Sequence, residues 1–315
     1  MIRGVLPRRA LGASGIEVSA LSLGSWRTYE RIPREQGLAV MNEARACGVD
    51  FLDDARYNDE TGNAPLPTGY SEVVFGELFR AAGWKRDEVV VANKLWWEFW
   101  PDESAAQELD GSLGRMGLDY LDLAYAAEPP EGLEVAEVVG SAGELIASGK
   151  LRAWGFLNWS PELMVEATEI ARREGVPPPC AAQLAYNLVL RSAVENADAI
   201  LAATGVSVVA SMPLWFGALT GKYAAGDAAG RIAGDLGKPH LQDALALVEP
   251  LRALARELDT TPAALAIAFP LASPRVASVL FGATQPAQVA ENVAAVDVLA
   301  RIGDAELAAL RRLGA

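Results

Sequence analysis

Eight short apolar runs, each followed by a segment patterned as a helix, predict a (β/α)8 barrel for this chain. The runs are continuous rather than alternating, as parallel strands buried on both faces read. At 315 residues the chain suits one barrel domain, residues 1–315, with room for insertions. An open doubly wound sheet would share the alternation, but the first strand-to-helix turn has no G-x-G-x-x-G.

The first segment, Arg9 to Ser19, places a Gly/Ser turn between two short alternating runs and predicts a β-hairpin that caps something. Leu21 to Leu23 begins the strand series. Strand-like runs follow at Val49 to Ala55, Val89 to Asn93, Leu121 to Ala126, Ala153 to Asn158, Ala181 to Tyr186, Val206 to Ser211 and Ala277 to Gly282. Helical spacing of apolar residues predicts helices over Arg34 to Cys47, Ser71 to Ala82, Ala105 to Arg115, Ala136 to Ser148, Pro161 to Arg173 and Ala193 to Ala203. Two loops break the rhythm: an insertion between Asn58 and Tyr70 after the second barrel strand, and a Gly/Ala/Asp-rich stretch between Tyr223 and Lys238 after the seventh. Both are expected on the catalytic face. The tail, from Pro262 to Ser273 and from Pro286 onward, reads as amphipathic helix.

Composition excludes several classes. A net charge of -14 disfavours nucleic-acid binding, which needs a basic face. No run of about 18 uncharged apolar residues predicts a membrane span, and the opening Met1 to Gly4 lacks the apolar core of a signal peptide. The two cysteines, Cys47 and Cys180, have neither disulfide nor metal-ligand spacing and are expected to be buried thiols in a reducing, cytoplasmic setting. No metal site is expected.

Chemistry concentrates in Phe51 to Asp59, F-L-D-D-A-R-Y-N-D, where an apolar strand runs into carboxylates and a tyrosine. A buried parallel strand delivers ionisable groups to a barrel mouth in this way. A second cluster, Leu95-Trp96-Trp97-Glu98-Phe99-Trp100, follows Lys94 directly. With Trp26, Trp159 and Trp215 it predicts an apolar, stacking-capable pocket.

Taken together and in order, the motifs R-x-L-G-x-S-G-x-x-V-S, L-x-L-G-S-W, G-V-D-F-L-D-D-A, Y-S-E-x-x-F-G-E-L, V-V-V-A-N-K, L-D-Y-L-D-L, S-G-K-L-R-A-W-G, Q-L-A-Y-N, L-T-G-K-Y and G-A-T-Q-P-A-Q-V-A-E-N resemble the aldo-keto reductase family. The bacterial and potassium-channel β-subunit-like branches are the nearest in pattern. The resemblance covers nearly the whole chain. It implies a barrel that binds NADPH without a Rossmann motif and transfers hydride to a carbonyl, acting on a small-molecule substrate as a monomer or homo-oligomer. A tyrosine then serves as general acid, its pKa lowered by a lysine paired to an aspartate, because a phenol of pKa about 10 is otherwise a poor acid near neutrality.

Carried over by residue, the resemblance assigns Asp53 and Lys94 to the pair. The tyrosine register, five residues beyond Asp53, holds Asn58, so Tyr57, one residue early, is the candidate acid and Tyr70 a second. Ala127 occupies the histidine position, with Glu128 beside it; a carboxyl there is associated in the family with reduction of an enone double bond. The only histidine, His240, lies elsewhere, after the seventh-strand loop at an expected helix start, and reads as a surface or capping residue. Asn158 and Gln183 match the nicotinamide-carboxamide residues, and Leu219, Gly221 and Lys222 the pyrophosphate loop. Arg231 stands at a distance suited to a 2′-phosphate. Gly282, Thr284, Gln288, Glu291 and Asn292 match the closing adenine and phosphate segment. Leu157 and Ser211 replace a usual serine and a usual stacking aromatic. The substrate pocket is assigned to Trp26, Asn58, Trp96, Trp97, Ala127 and Glu128. The favoured reading is an NADPH-dependent reductase of a bulky aromatic or sugar-bearing carbonyl or enone. A lyase, dehydratase or isomerase using Asp53 and Lys94 for proton transfer, and a non-catalytic regulatory barrel, remain open.

Overall fold

The computed structural model describes residues 6–225, 232 and 234–314. Strands β1 (Arg8–Ala10) and β2 (Glu17–Ser19) form an antiparallel hairpin. The remaining strands are β3 (Leu21–Gly24), β4 (Phe51–Asp53), β5 (Val90–Leu95), β6 (Leu121–Ala127), β7 (Leu151–Leu157), β8 (Ala181–Ala185), β9 (Ser207–Ser211) and β10 (Val276–Phe281). These eight close a parallel barrel in sequence order, with β10 pairing β3.

Period-two alternation decides what each strand sends inward. Phe51, Val90, Ala92, Leu123, Tyr125, Ala153, Leu157, Ala181, Val209 and Ala277 form one cluster that fills the barrel interior, whereas their neighbours Leu52, Val91, Ala124, Trp154, Ala182 and Val208 belong to the layer beneath the helices. Leu11, Ile16 and Val18 of the hairpin join the interior cluster. The predicted cap therefore plugs the N-terminal end of the barrel, and side chains inside it communicate with solvent through the other end. Gly12, at the hairpin turn, has φ +50°, and a Cβ there would meet the Cys180 carbonyl oxygen at 2.7 Å. Only glycine lets the plug approach so closely.

The helices follow the predicted order. They are α1 (Arg34–Ala46), α2 (Tyr70–Ala81), α3 (Ala105–Met116), α4 (Val135–Ala147), α5 (Pro161–Glu174), α6 (Ser192–Glu195), α7 (Asp198–Thr204), α8 (Pro239–Glu257), α9 (Pro262–Leu271), α10 (Pro286–Val293), α11 (Ala295–Arg301) and α12 (Asp304–Leu313). The segment expected as one helix from Ala193 to Ala203 is divided into α6 and α7 at Asn196 and Ala197. Helix α8 begins at the helix start expected around His240, with Pro239 in its first turn and Leu241, Ala244, Val248, Leu251 and Ala255 on its buried face.

Candidate active site

Alternation along β4, β5 and β8 turns Asp53, Lys94 and Gln183 into the barrel at its C-terminal end. All three are buried. The Lys94 ammonium donates to Asp53 Oδ1 and, at 3.0 Å, to the Asp54 carbonyl. The Gln183 amide donates to Asp53 Oδ2 at 2.9 Å. Both oxygens of Asp53 are thus satisfied, one of them by a cation.

Tyr57 reaches this pair. Lys94 Nζ lies 5.8 Å from the centroid of its ring. The residue missing from the family register is absorbed in a tight turn, where Tyr57 N–H bonds the Ala55 carbonyl at 2.9 Å. Gly69 N–H then bonds the Tyr57 carbonyl, Asp59 N–H bonds that of Pro67, and an isolated bridge pairs Asn58 with Thr68. The insertion is therefore a ribbon folded back on itself, with Tyr57 fixed at its base. Burial first, then the Asp53 and Asp54 carboxylates, push the Tyr57 phenol well above its ordinary pKa, the opposite of the lowering expected from Lys94, so it holds its proton at neutral pH.

Asn58 is exposed and donates to Glu98 Oε1 at 2.8 Å, tying the insertion to the loop after β5. Tyr70 is engaged elsewhere, accepting from Arg34 Nη2 at 3.0 Å. The tryptophans divide. Trp96 packs on the interior cluster with its ring 6.3 Å from Tyr57, while Trp97 turns into the outer layer and donates its indole N–H to the Ala127 carbonyl at 3.0 Å. Trp159 is also in the outer layer, donating to Ala126 O at 2.9 Å. Trp26 is half-buried and faces Phe216 at 5.8 Å between ring centroids. Glu128 is exposed beyond Ala127. His240 lies beside Trp215 and Phe216.

Backbone strain gathers around this mouth. Arg27, Trp97, Asn158, Met212, Trp215 and Phe216 all have positive φ and all lie just past barrel strands. Such conformations are uncommon outside glycine and cluster where function requires them.

The aldo/keto reductase family model matches residues 20–314. The chain belongs to the aldo/keto reductase family. Similar proteins include the "Probable voltage-gated potassium channel subunit beta" of Oryza sativa subsp. japonica, 34% identical over 305 residues that span 92% of this chain and 90% of that protein. The protein of the same name in Arabidopsis thaliana is 31% identical over 305 residues, with the same coverage of each chain. The barrel and its hairpin are those expected of an aldo/keto reductase.

In this aldo/keto reductase the residues that the resemblance assigns to the cofactor are arranged unevenly. Asn158 is exposed in a left-handed conformation, φ 56°, at the end of β7. At the start of α10, Gln288 Oε1 accepts from Thr284 N at 2.8 Å, Thr284 Oγ1 at 3.2 Å and Gln285 N at 3.2 Å. The contacts form a capping box at the first turn of α10, a helix start whose donors can meet an anion. That donor set fits the phosphates of NADPH. Gly282 and Glu291 are exposed near this helix start and Asn292 is buried in the following turn. Leu219 and Gly221 are buried, and their N–H groups bond Leu214 and Ala218 carbonyls. Lys222 is half-buried, its ammonium 4.9 Å from the Tyr223 ring. Arg231 lies outside the described residues.

Several groups at the site were not singled out from sequence. Tyr125 projects inward from β6, its ring 5.9 Å from Lys94 Nζ. Asn93 donates from its side chain to Glu72 Oε1 at 2.8 Å and accepts from Lys94 N at 2.6 Å, and Arg115 Nε donates to Glu72 Oε2 at 2.5 Å. Asp54 is fully buried beside Ser25. Polar residues in otherwise apolar runs, D-D at the end of β4 and N-K in β5, are the signal that could have found Asp54 and Asn93.

Among the described residues no group of His, Cys, Asp and Glu could hold a metal ion, and no helix is long and apolar enough to cross a membrane.

Proposed function

We propose that the protein is an NADPH-dependent oxidoreductase that reduces a carbonyl of a bulky aromatic or sugar-bearing substrate. The observation that carries this reading is the approach of the Tyr57 ring to the Asp53–Lys94 pair despite the displaced register. Asn158, Lys222 and the donors around Gln288 would hold NADPH, which supplies a hydride when bound. Tyr57 O–H donates its proton to the carbonyl oxygen as negative charge develops there. The Lys94 ammonium, fixed by Asp53 and the Asp54 carbonyl, offsets the charge left on the phenolate. Ala127 offers no donor, so Tyr57 orients the carbonyl without a histidine's help. Trp96, Trp26 and Phe216 form an aromatic wall suited to a broad, flat substrate.

Titration of the purified protein with NADPH and NADH, followed by cofactor oxidation against bulky ketones, quinones and enones, tests the reading. Binding of NADPH with oxidation by at least one quinone is expected; no cofactor binding at millimolar concentration would refute it. A second reading, proton-transfer chemistry of a lyase or isomerase, is favoured by Ala127 in place of a histidine and Ser211 in place of a stacking ring. It requires product formation with no net cofactor oxidation. The names of the relatives also support association with a partner protein, which co-purification with a channel cytoplasmic domain would test.

A further inference from the structure

Behind the Asp53–Lys94 pair lies a second carboxyl that the proposed chemistry does not use. Asp54 is 0% exposed. Its Oδ1 accepts from the Ser25 hydroxyl, and its Oδ2 is buried with no hydrogen-bond partner. Its backbone is part of the site, since the Asp54 carbonyl is the second acceptor of Lys94 Nζ.

The charges around it can be counted. Asp53, Asp54 and Glu72 are three buried carboxyls, and the cations that contact them are Lys94, on Asp53, and Arg115, on Glu72. Arg56, the other buried cation nearby, is taken by Glu103 and Glu108. Among the described residues Asp54 has no ion-pair partner of its own. A fully buried carboxylate with one oxygen left without a hydrogen-bond partner is far costlier than the neutral acid. The groups facing it are Ser25 and Tyr29 from the segment after β3, Glu72 from α2, Lys94 from β5, and Tyr57 from the insertion. Tyr29 contributes a buried hydroxyl that also lacks a partner.

We propose that Asp54 is carried as a neutral carboxylic acid and acts as a positioning residue for charge. Protonated, it leaves the field of Lys94 directed at Tyr57; ionised, it cancels that field and makes Tyr57 a poorer acid. Two further facts agree in direction. Burial, then the negative charge of Glu72, holds the Asp54 carboxyl well above the usual carboxylate range against the opposing Ser25 bond, the Ala55 N–H and Lys94. An ionised Asp54 in turn raises the Tyr57 phenol. The inference rests on Tyr57 being the acid of the proposed reduction.

Infrared spectroscopy of the full-length protein, labelled with [13C]carboxyl aspartate, reads the carboxyl directly and needs no substrate. A protonated-carboxyl band at pH 7 that is lost in Asp54→Asn is expected. Ser25→Ala should shift the same band in frequency, which keeps the assignment secure if Asp54→Asn fails to fold. The second arm follows NADPH oxidation with 9,10-phenanthrenequinone across pH. Asp54→Asn should move the alkaline limb upward by about one pH unit or more. A wild-type spectrum without the band, or an alkaline limb unmoved in Asp54→Asn, overturns the proposal. Band present with no NADPH oxidation by wild type instead removes the reductase reading, and the role of Asp54 with it.

Discussion

Glu108 offers the sharpest test of how the site is held together. It projects from α3, is 2% exposed, and accepts from Arg56 Nη2 at 2.9 Å, Trp96 N at 2.8 Å and Trp97 N at 3.2 Å. One carboxylate therefore joins the turn that positions Tyr57 to the backbone that positions Trp96. Glu108→Ala removes one partner of a buried ion pair, which costs about 3–5 kcal/mol when the other charge stays buried. Two backbone N–H groups would also lose their acceptor, at about 1–3 kcal/mol each. Arg56 keeps Glu103 at 2.8 Å, and local water entry will recover part of the rest. A net loss of about 4 kcal/mol is expected, corresponding to a fall in Tm of roughly 6–10 °C for a chain of this size. Glu108→Gln, which preserves shape and one acceptor, should lose about half as much. Thermal unfolding followed by circular dichroism measures both. A Tm within about 2 °C of wild type in Glu108→Ala would mean that the two loops are held by packing alone.

Two other perturbations follow from the same geometry. A Cβ at Gly76 would lie 2.1 Å from the Met116 carbonyl oxygen, so Gly76→Ala must push α2 from the end of α3; a loss of about 2 kcal/mol or more is expected in urea unfolding, and a neutral effect would contradict the close approach. For Asp54 the folded-state pKa is raised, so its contribution is most favourable below the ordinary carboxylate pKa of about 3.9 and is lost as pH rises towards the folded value. Asp54→Asn cannot ionise. Its Tm relative to wild type should therefore climb from pH 4 upward, and a difference that is constant from pH 4 to 8 would show that Asp54 does not titrate between the two states.

The barrel was legible because its strands are buried on both faces, so continuous apolar runs such as Val89 to Asn93 could be read as β5 almost to the residue. The hairpin was legible too, but its role as a plug depends on Leu11, Ile16 and Val18 meeting side chains from distant strands, which no local pattern records. Asp53 and Lys94 could be named from their motifs, and their pairing follows from inward alternation on adjacent strands. Tyr57 was harder. Its register was one residue short, and only the turn at Ala55 to Tyr57, closed by hydrogen bonds from within the insertion, returns the ring to Lys94. The tryptophan cluster read as one pocket, yet the same alternation sends Trp96 to the interior and Trp97 to the helix layer. Helix α8 was legible at its start near His240, but its extent to Glu257 was not read from the apolar face it buries. Asp54 and Tyr125 escaped notice because their importance comes from burial beside Lys94, which is a property of the closed barrel.

Single-turnover oxidation of NADPH by 9,10-phenanthrenequinone, compared between wild type and Tyr57→Phe, bears most directly on the assignment of Tyr57. The phenyl ring preserves the packing against Trp96 and removes only the proton to be donated. A fall in rate of about 10²–10⁴-fold with unchanged NADPH affinity is expected, the range in which a positioned general acid contributes. An unchanged rate in Tyr57→Phe would contradict the role of Tyr57 and return the catalytic function of this barrel to some other group.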